Sequence, residues 1–501
     1  MVNDIAALQA QYQAATITAG PAVNSVFIGN TLTSGINATG TNLFAPDYKT
    51  ARSVQMNIGL QHEFGHGLVL TADYVRNVGT HAQLTVDVNH VGDAGFLDVQ
   101  AALDAITATV TPFGCPAATI AGANSQAAIS CYLGSSGPSN ASIADFAING
   151  LDSGNSLCGG FPCSLVKQPA AAFPGKNKNL GTNQMLFPIG RSVYNGLQMS
   201  LKQNLSLANN RIKRANLQLS YAFSRYVATA QDTDFINFAE DNNHPTSFLG
   251  PNGLDRKHQI SFGGTVELPY SLRLSVISHF YSPLPLNLRL PTSGLAGGIF
   301  ITDVTGDGTG DGTAVSNGGV GDLVPGTKLG AFGRSVSAGD INNLITNYNS
   351  NFAGTPTPAG QALITANLFT KAQLDALGGV QQPLCPAPPI PRTDPACPDV
   401  GNGGQVGMSW LRALDLKLSW PIKVREGLIL EPIVSFFNAF NLSNFDSPTS
   451  ELSGILDGSN GTANGTTASL RAAGNTRIGV GTGVFGLGAP RQLEFGLRLT
   501  F

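Results

Sequence analysis

Charge is scarce in this 501-residue chain. Asp, Glu, Lys and Arg together make up 12% of it, about half of what a soluble domain usually carries. A soluble enzyme of this size normally covers itself with Lys and Glu, and this chain does not. Oil does not replace the missing charge, because hydrophobic residues amount to 42%. No run of about 18 apolar residues occurs, which excludes a helical membrane protein. A net charge of −3 argues against nucleic acid as a partner. The opening MVNDIAALQAQ has neither a basic n-region nor an apolar h-region, so no signal peptide is visible. For an exported protein that start is expected of a fragment, or of a gene reading that omits its beginning. HExxH, P-loop and strand-turn-helix GxSxG patterns are absent too. The seven histidines are scattered, and no enzymatic activity is expected.

What the chain does have is glycine, 60 residues of it, and strict apolar/polar alternation. Val54, Met56, Ile58, Leu60 and Phe64 alternate with Ser53, Gln55, Asn57, Gln61 and Glu63. After Gly65, His66 and Gly67 the pattern resumes with Leu68, Leu70, Ala72 and Tyr74, which predicts a tight hairpin. A second pair sets Leu197, Met199, Leu201 and Leu205 against Leu217, Leu219, Tyr221 and Phe223. A third sets Ile260, Phe262, Val266 and Leu268 against Leu272, Leu274, Val276 and Phe280, across Pro269 and Tyr270. A fourth joins Leu414, Leu416, Leu418 and Trp420 to Leu428, Leu430, Val434 and Phe436 through a turn at residues 421–426. The final RQLEFGLRLTF alternates to its last residue, and His81–Asn89 and Leu286–Leu290 are weaker candidates. About eleven strands are predicted by this period.

The connections are asymmetric. Turns within pairs are short, whereas residues 90–190, 229–255, 292–408 and 443–490 form long loops. A compact soluble domain seldom holds such loops, while an antiparallel transmembrane β-barrel has them on one side. A soluble sandwich or propeller would put charges on its wet faces, and here those faces carry Gln, Asn and Ser. The reading is therefore all-β, a membrane barrel with long extracellular loops. Within the longest loop, Leu363, Leu368, Leu374 and Leu377 recur near helical spacing, Thr370 and Gln373 fit a capping box, and Gly378 fits a stop.

The six cysteines, Cys115, Cys131, Cys158, Cys163, Cys385 and Cys397, lie in the loop segments. An even count there favours disulfides in an oxidising compartment over zinc. DVTGDGTGDG places Asp303, Thr305, Asp307 and Asp311 at EF-hand-like spacing with Gly308 at the sharp turn, a calcium candidate that lacks the twelfth-position Glu, Ala314 standing there. The competing reading is a solvated Asp/Gly turn. Asp232, Asp234, Glu240 and Asp241 form an acidic loop segment, for a cation, a substrate or solvent. His62 and His258 fall near strand ends, and His279 on a wet face where a lumen ligand would pass.

Several strings resemble TonB-dependent outer-membrane receptors, with the Oar-like subgroup as the nearest likeness. YNGLQMSLKQNLS with LQLSYAFSRY, LDRKHQISFGGTVELPY, LDLKLSWPIKV with LEPIVSFFNAFNLSNF, and FAPDYKTARSVQMNIGLQHEF with ADYVRNVGTH each look like a hairpin of that family, in the family's order. The likeness runs from about Phe44 to Phe501 and implies that residues 1–501 are the C-terminal portion of a larger barrel. The family's N-terminal domain, TonB box, plug and early strands have no counterpart here. It implies uptake of a siderophore, glycan, cobalamin or peptide across a Gram-negative outer membrane. The partners it implies are membrane lipid, the TonB complex reached through the missing N-terminal region, and the barrel assembly machinery, which would read Phe501 as a signal. A non-transporting adhesion or structural barrel is the alternative, and calcium is the one cofactor in question.

Overall fold

A computed structural model describes residues 43–134, 137–153, 171–178, 183–206, 212–230, 237–291, 296–309, 321–385, 410–444 and 491–501. The alternating segments form one 12-stranded sheet. Its strands are β1 (Leu43–Phe44), β2 (Arg52–Glu63), β3 (Leu68–Asp87), β4 (Gln184–Ser206), β5 (Arg214–Ala228), β6 (Gly250–Pro251) and β7 (His258–Glu267). They continue with β8 (Arg273–Tyr281), β9 (Leu411–Ser419), β10 (Ile422–Arg425), β11 (Leu428–Phe437) and β12 (Gln492–Thr500). From β2 to β12 the sheet is an antiparallel meander, to which the two-residue β1 adds a parallel pair with β4.

The strands at the short-turn end pair as tight hairpins, while β3–β4, β8–β9 and β11–β12 pair across long connections. In the first hairpin, Gly65, His66 and Gly67 all take positive φ, and Leu68 N–H donates to the Gly65 carbonyl at 3.0 Å. The β7–β8 hairpin turns through Pro269–Ser271, as expected. The predicted turn at 421–426 is corrected. Ser419 pairs with Ile433 and Ile422 with Leu430, so β9 and β10 lie in one register against β11. Pro421, which has no N–H to give a ladder, interrupts them, and the reversal comes at Glu426–Gly427, where Gly427 has φ 75°.

Three other expectations change. His81–Asp87 is the far end of β3, not a separate strand. Leu286–Leu290 is held only by isolated bridges, from Leu286 to Phe332 and from Arg289 to Leu323. β4 begins at Gln184, inside the predicted loop, so β3 and β4 rise as a paired ribbon past the end of β5.

Register decides what each face carries. Ile58, Tyr74, Leu197, Phe223 and His258 stand side by side across five strands. So do Leu70, Leu201, Leu219 and Phe262 across four. These rows are solvent-accessible in the isolated chain: Ile58 is 74% exposed and Phe495, on β12, 73%. The opposite face carries Thr71, Ser200, Ser220, Ser261 and His279 in one row. Among the described residues no second sheet covers the apolar face, which excludes the sandwich. An uncovered apolar face on strands with a polar reverse is the pattern of a lipid-facing wall.

Aromatic residues mark both rims of that face. Phe64, Tyr270, Trp420 and Phe501 lie at the short-turn end, where the Trp420 indole N–H donates to the Tyr270 carbonyl at 2.8 Å. At the long-loop end His258 stacks on Trp410 and Tyr221, with Phe223 beside it. Amphipathic rings at two levels are what the two interfaces of a bilayer select.

Candidate functional site

Most of the buried apolar residues gather in the long loops, with a small cluster of Leu84, Val86 and Ala239 at the end of β3. The described residues of two loop segments, 88–134, 137–153 and 171–178 in the first and 282–291, 296–309 and 321–385 in the second, fold together into a helical cap at the long-loop end. Its helices are α1 (Val99–Val110), α2 (Ala123–Leu133), α3 (Ile143–Phe146), α4 (Ile341–Asn351), α5 (Pro358–Thr365) and α6 (Lys371–Ala376). Asp98 caps α1 by accepting from Gln100 and Ala101 N–H. One predicted helix is corrected here. Asn367 enters the left-handed region at φ 55° and ends α5, and the Thr370–Gln373 capping box then starts α6.

One core of the cap contains Ile106, Ile129, Tyr132, Phe146, Phe300, Leu363 and Phe369, drawn from both loop segments. Phe113, Tyr132, Phe146 and Phe369 meet edge to face in series, with centroids 5.1, 5.2 and 5.5 Å apart. A smaller core joins Leu288, Leu290, Phe332, Ile345 and Tyr348. Backbone bonds stitch the two segments: Gly122 N–H to Asn367 O and Ile143 N–H to Leu377 O, both at 2.8 Å. Burial and the neighbouring Asp145 charge push the Tyr132 hydroxyl far above its usual range, so it remains a donor to Asp145 Oδ2 at 3.0 Å.

Cys115 and Cys131 are bonded to one another across a separation of 16 residues. Cys385 is disulfide-bonded as well, while Cys158, Cys163 and Cys397 lie outside the described residues. Closing a loop of this length contributes about 3 kcal/mol. Cys115→Ser is therefore expected to lower the stability of the cap by about that amount, with faster proteolysis between α1 and α2 as the readout. An unchanged cleavage rate would count against it.

The long connections are tied to the wall at three places. Asp87, the last residue of β3, accepts N–H bonds from Asn89, Val91 and Asn183 at 2.7–3.0 Å, which closes the neck between β3 and β4. Asp255 accepts from Tyr226 N–H on β5 and from Arg334 Nε at 2.6 Å. Ala239 N–H donates to the Thr85 carbonyl at 2.9 Å.

Between these ties lies an acidic interior. Asp303, Asp307 and Asp322 are at most 1% exposed. Asp303 Oδ1 accepts from Gly306 N–H at 2.6 Å and Oδ2 from Gly308 N–H at 3.0 Å. Asp307 Oδ1 faces the Thr309 hydroxyl at 2.6 Å, and its Oδ2 accepts from Asn242 N–H. Asp322 Oδ2 accepts from Val304 and Thr305 N–H, each at 2.9 Å. Gly308 has φ 83°, and a Cβ there would collide with the Val91 carbonyl, so the string turns here only with glycine. Burial pushes Asp303 well above the ordinary carboxylate range, and the charges of Asp322 and Asp307 push it further. Burial does the same to Asp322, beside Asp307 and Glu240. Glu240 is bound by Arg289 through two bonds of 2.8 and 2.6 Å. Asp93 differs: burial pushes it up, but hydrogen bonds from His90, Gly95 and Asn243 outweigh that and hold it low.

The structure thus brings two of the candidate acids, Asp303 and Asp307, together with Asp322, which the sequence did not single out. Asp311, Asp232 and Asp234 lie outside the described residues, and Glu240 and Asp241 border the cluster. His279 faces the polar side of the sheet, as expected, with Ser261 Oγ and Tyr281 Oη at 3.1 and 3.0 Å from its Nδ1. Tyr281 in turn lies under Arg256, 5.6 Å from ring centroid to guanidinium carbon. Phe501 is 93% exposed, beyond the end of β12.

A family model of the outer membrane beta barrel domain matches residues 3–479. Among solved structures the chain is similar to the outer membrane transporter YddB from Escherichia coli, at 9% identity and a TM-score of 0.34. That similarity covers 82% of this chain and 32% of the transporter's, so the chain spans well under half of its length. No curated protein matches the chain.

Proposed function

We propose that this chain, which belongs to the outer membrane beta barrel domain family and resides in the outer membrane, forms wall and outer loops of a TonB-dependent transporter. The observation that carries this reading is the sheet's two-sidedness. Apolar rows face outward between two aromatic rims, polar rows face inward, and a folded cap stands over one end only. Short turns belong on the periplasmic side of such proteins and long loops on the outside, which puts the cap where an external ligand arrives.

The wall needs more strands than these. β2 and β12 each have one neighbour among the described strands. A strand edge facing lipid leaves backbone groups unsatisfied at several kcal/mol each. In this proposal upstream strands close the barrel, and a plug inside it moves when TonB engages a box at the plug's start. Ligand then passes the polar face near Ser261, His279 and Tyr281. Phe501, in the short-turn aromatic rim, serves the assembly machinery.

The test reads the frame upstream of Met1 and expresses the whole of it in a Gram-negative host. A plug and TonB box in that frame, with a crosslink between the box and TonB, are the expected results. A frame holding neither would sink import and favour the adhesion barrel.

A further inference from the structure

We propose that Arg52, Arg76, Arg191 and Arg225 form a docking face on the outside of the wall for a phosphorylated glycolipid of the outer leaflet. The face follows from register. Met56, Arg76, Asn195 and Arg225 stand side by side across β2–β5, one row beyond the row that holds Tyr74, Leu197 and Phe223. Two rows further on, Arg52, Thr80 and Arg191 stand side by side. Parity puts all four arginines on the apolar face, and all four are exposed. Within each pair the arginines are two strands apart, about 10 Å between backbones.

Charge on this part of the wall has one sign. The acids of the same four strands lie elsewhere. Glu63 and Asp73 stand on the opposite face, in the rows of Lys202 and Gln198, and Asp87 is buried in the neck. Among the described residues none of the four arginines joins an ion pair. The Arg76 guanidinium donates to Asn195 Oδ1 at 2.8 Å, which also accepts from the Tyr74 hydroxyl at 3.0 Å. A neutral amide leaves that charge uncompensated. A guanidinium facing hydrocarbon is costly and becomes cheap only near the interface, so these four belong in a headgroup layer that supplies the anions.

Four solvated arginines on a wet surface are the competing account, and two observations oppose it. A wet surface mixes both signs of charge, and this one carries no acid. Val54, Val78, Val193 and Val227 fill the row between the two arginine pairs, so the wall here keeps the apolar character of a lipid contact.

Position selects the lipid. Two residues advance a strand by about 7 Å and six by about 20 Å. Arg76 and Arg225 therefore lie just beyond the aromatic rim, at the depth of the first headgroup phosphates. Arg52 and Arg191 reach further along the strands, where only a bulky headgroup extends. A guanidinium fork matches phosphate oxygens bidentately. A phosphate-bearing saccharide headgroup fits both pairs, and a simple phospholipid fits the first alone. This choice rests on the reading that the long-loop end lies outside.

The experiment uses the full chain in non-ionic detergent with lipopolysaccharide as the probe, bound copies being counted by native mass spectrometry and affinity followed by melting. Phosphorylated lipopolysaccharide is expected to bind and raise the melting temperature, less so as salt is raised. Arg76→Gln with Arg225→Gln should weaken binding about tenfold or more. Lys202→Gln, which removes a cation from the inner face of the same sheet, should leave it unchanged. Equal binding of enzymatically dephosphorylated lipopolysaccharide, or unchanged affinity in the double variant, would overturn the proposal. So would a preference for phosphatidylglycerol. A double variant that binds lipid normally but loses self-association would give the face to a second copy of this chain instead. The crosslink between the box and TonB tests the transport reading separately, so either can fail alone.

Discussion

Arg289→Met is expected to destabilise the loop cap by about 3–5 kcal/mol, the usual cost of removing one partner from a buried ion pair. Arg289 and Glu240 are 7% and 8% exposed, and they meet through two parallel hydrogen bonds. Without the guanidinium, the Glu240 carboxylate stays buried and loses both of these charge-assisted bonds, beside an interior that already holds Asp307 and Asp322. The Gly321 carbonyl loses a donor too. Glu240 follows β5 and Arg289 follows β8, so the break would fall where two loops join. The pair itself need not be stabilising against an apolar equivalent. The double variant Arg289→Met with Glu240→Leu should therefore recover most of the loss. Melting of the full chain in detergent, with protease protection across residues 237–291 as the local readout, measures both. A single-variant loss under about 1 kcal/mol, as for a surface pair, would show that the pair is solvated in solution.

The wall was far more legible than the cap, for physical reasons. A strand with one face in lipid and one in water must alternate, so Leu217, Leu219, Tyr221 and Phe223 announce their face without help from any other segment. Turn chemistry was equally local at Gly65–Gly67. It misled at Pro421, where a proline interrupts a strand that then resumes in register. The helical cap was harder because its helices bury their faces against segments distant in sequence. α1 meets residues from 299 to 380 in one core. The capping box at Thr370 did carry local information, since it requires a helix to begin there and so forbids one continuous helix from Leu363. Cys115–Cys131 could not be chosen among the pairings open to six cysteines. Asp322 was invisible for the same reason as the cap. Nothing in GDLVPG marks its acid as a partner of Asp303, and only the fold brings them together.

A charge placed on alternate residues of β5 is expected to separate the two faces energetically. Leu219 lies in the row Leu70, Leu201, Leu219, Phe262, mid-strand and 41% exposed in the isolated chain. In a bilayer that exposure is to hydrocarbon, and Leu219→Arg should cost about 2–4 kcal/mol near the midplane. Ser220 is the next residue and points to the other face, between Ser200 and Ser261. An arginine there reaches a hydrated lumen and should cost well under about 1 kcal/mol, as a solvated surface change does. Urea unfolding of the two variants in lipid vesicles makes the comparison at one depth, one strand and one side-chain type, leaving only the face different. Equal losses would mean that the strand is wet or buried on both sides, which no barrel wall allows. A larger loss at Ser220 would turn the sheet inside out and place the hydroxyl row in lipid. With Leu219 as the costly site, the parity read from a single strand extends by register to every strand paired with it. The same parity then makes Ser220, Ser261 and His279 lumen positions.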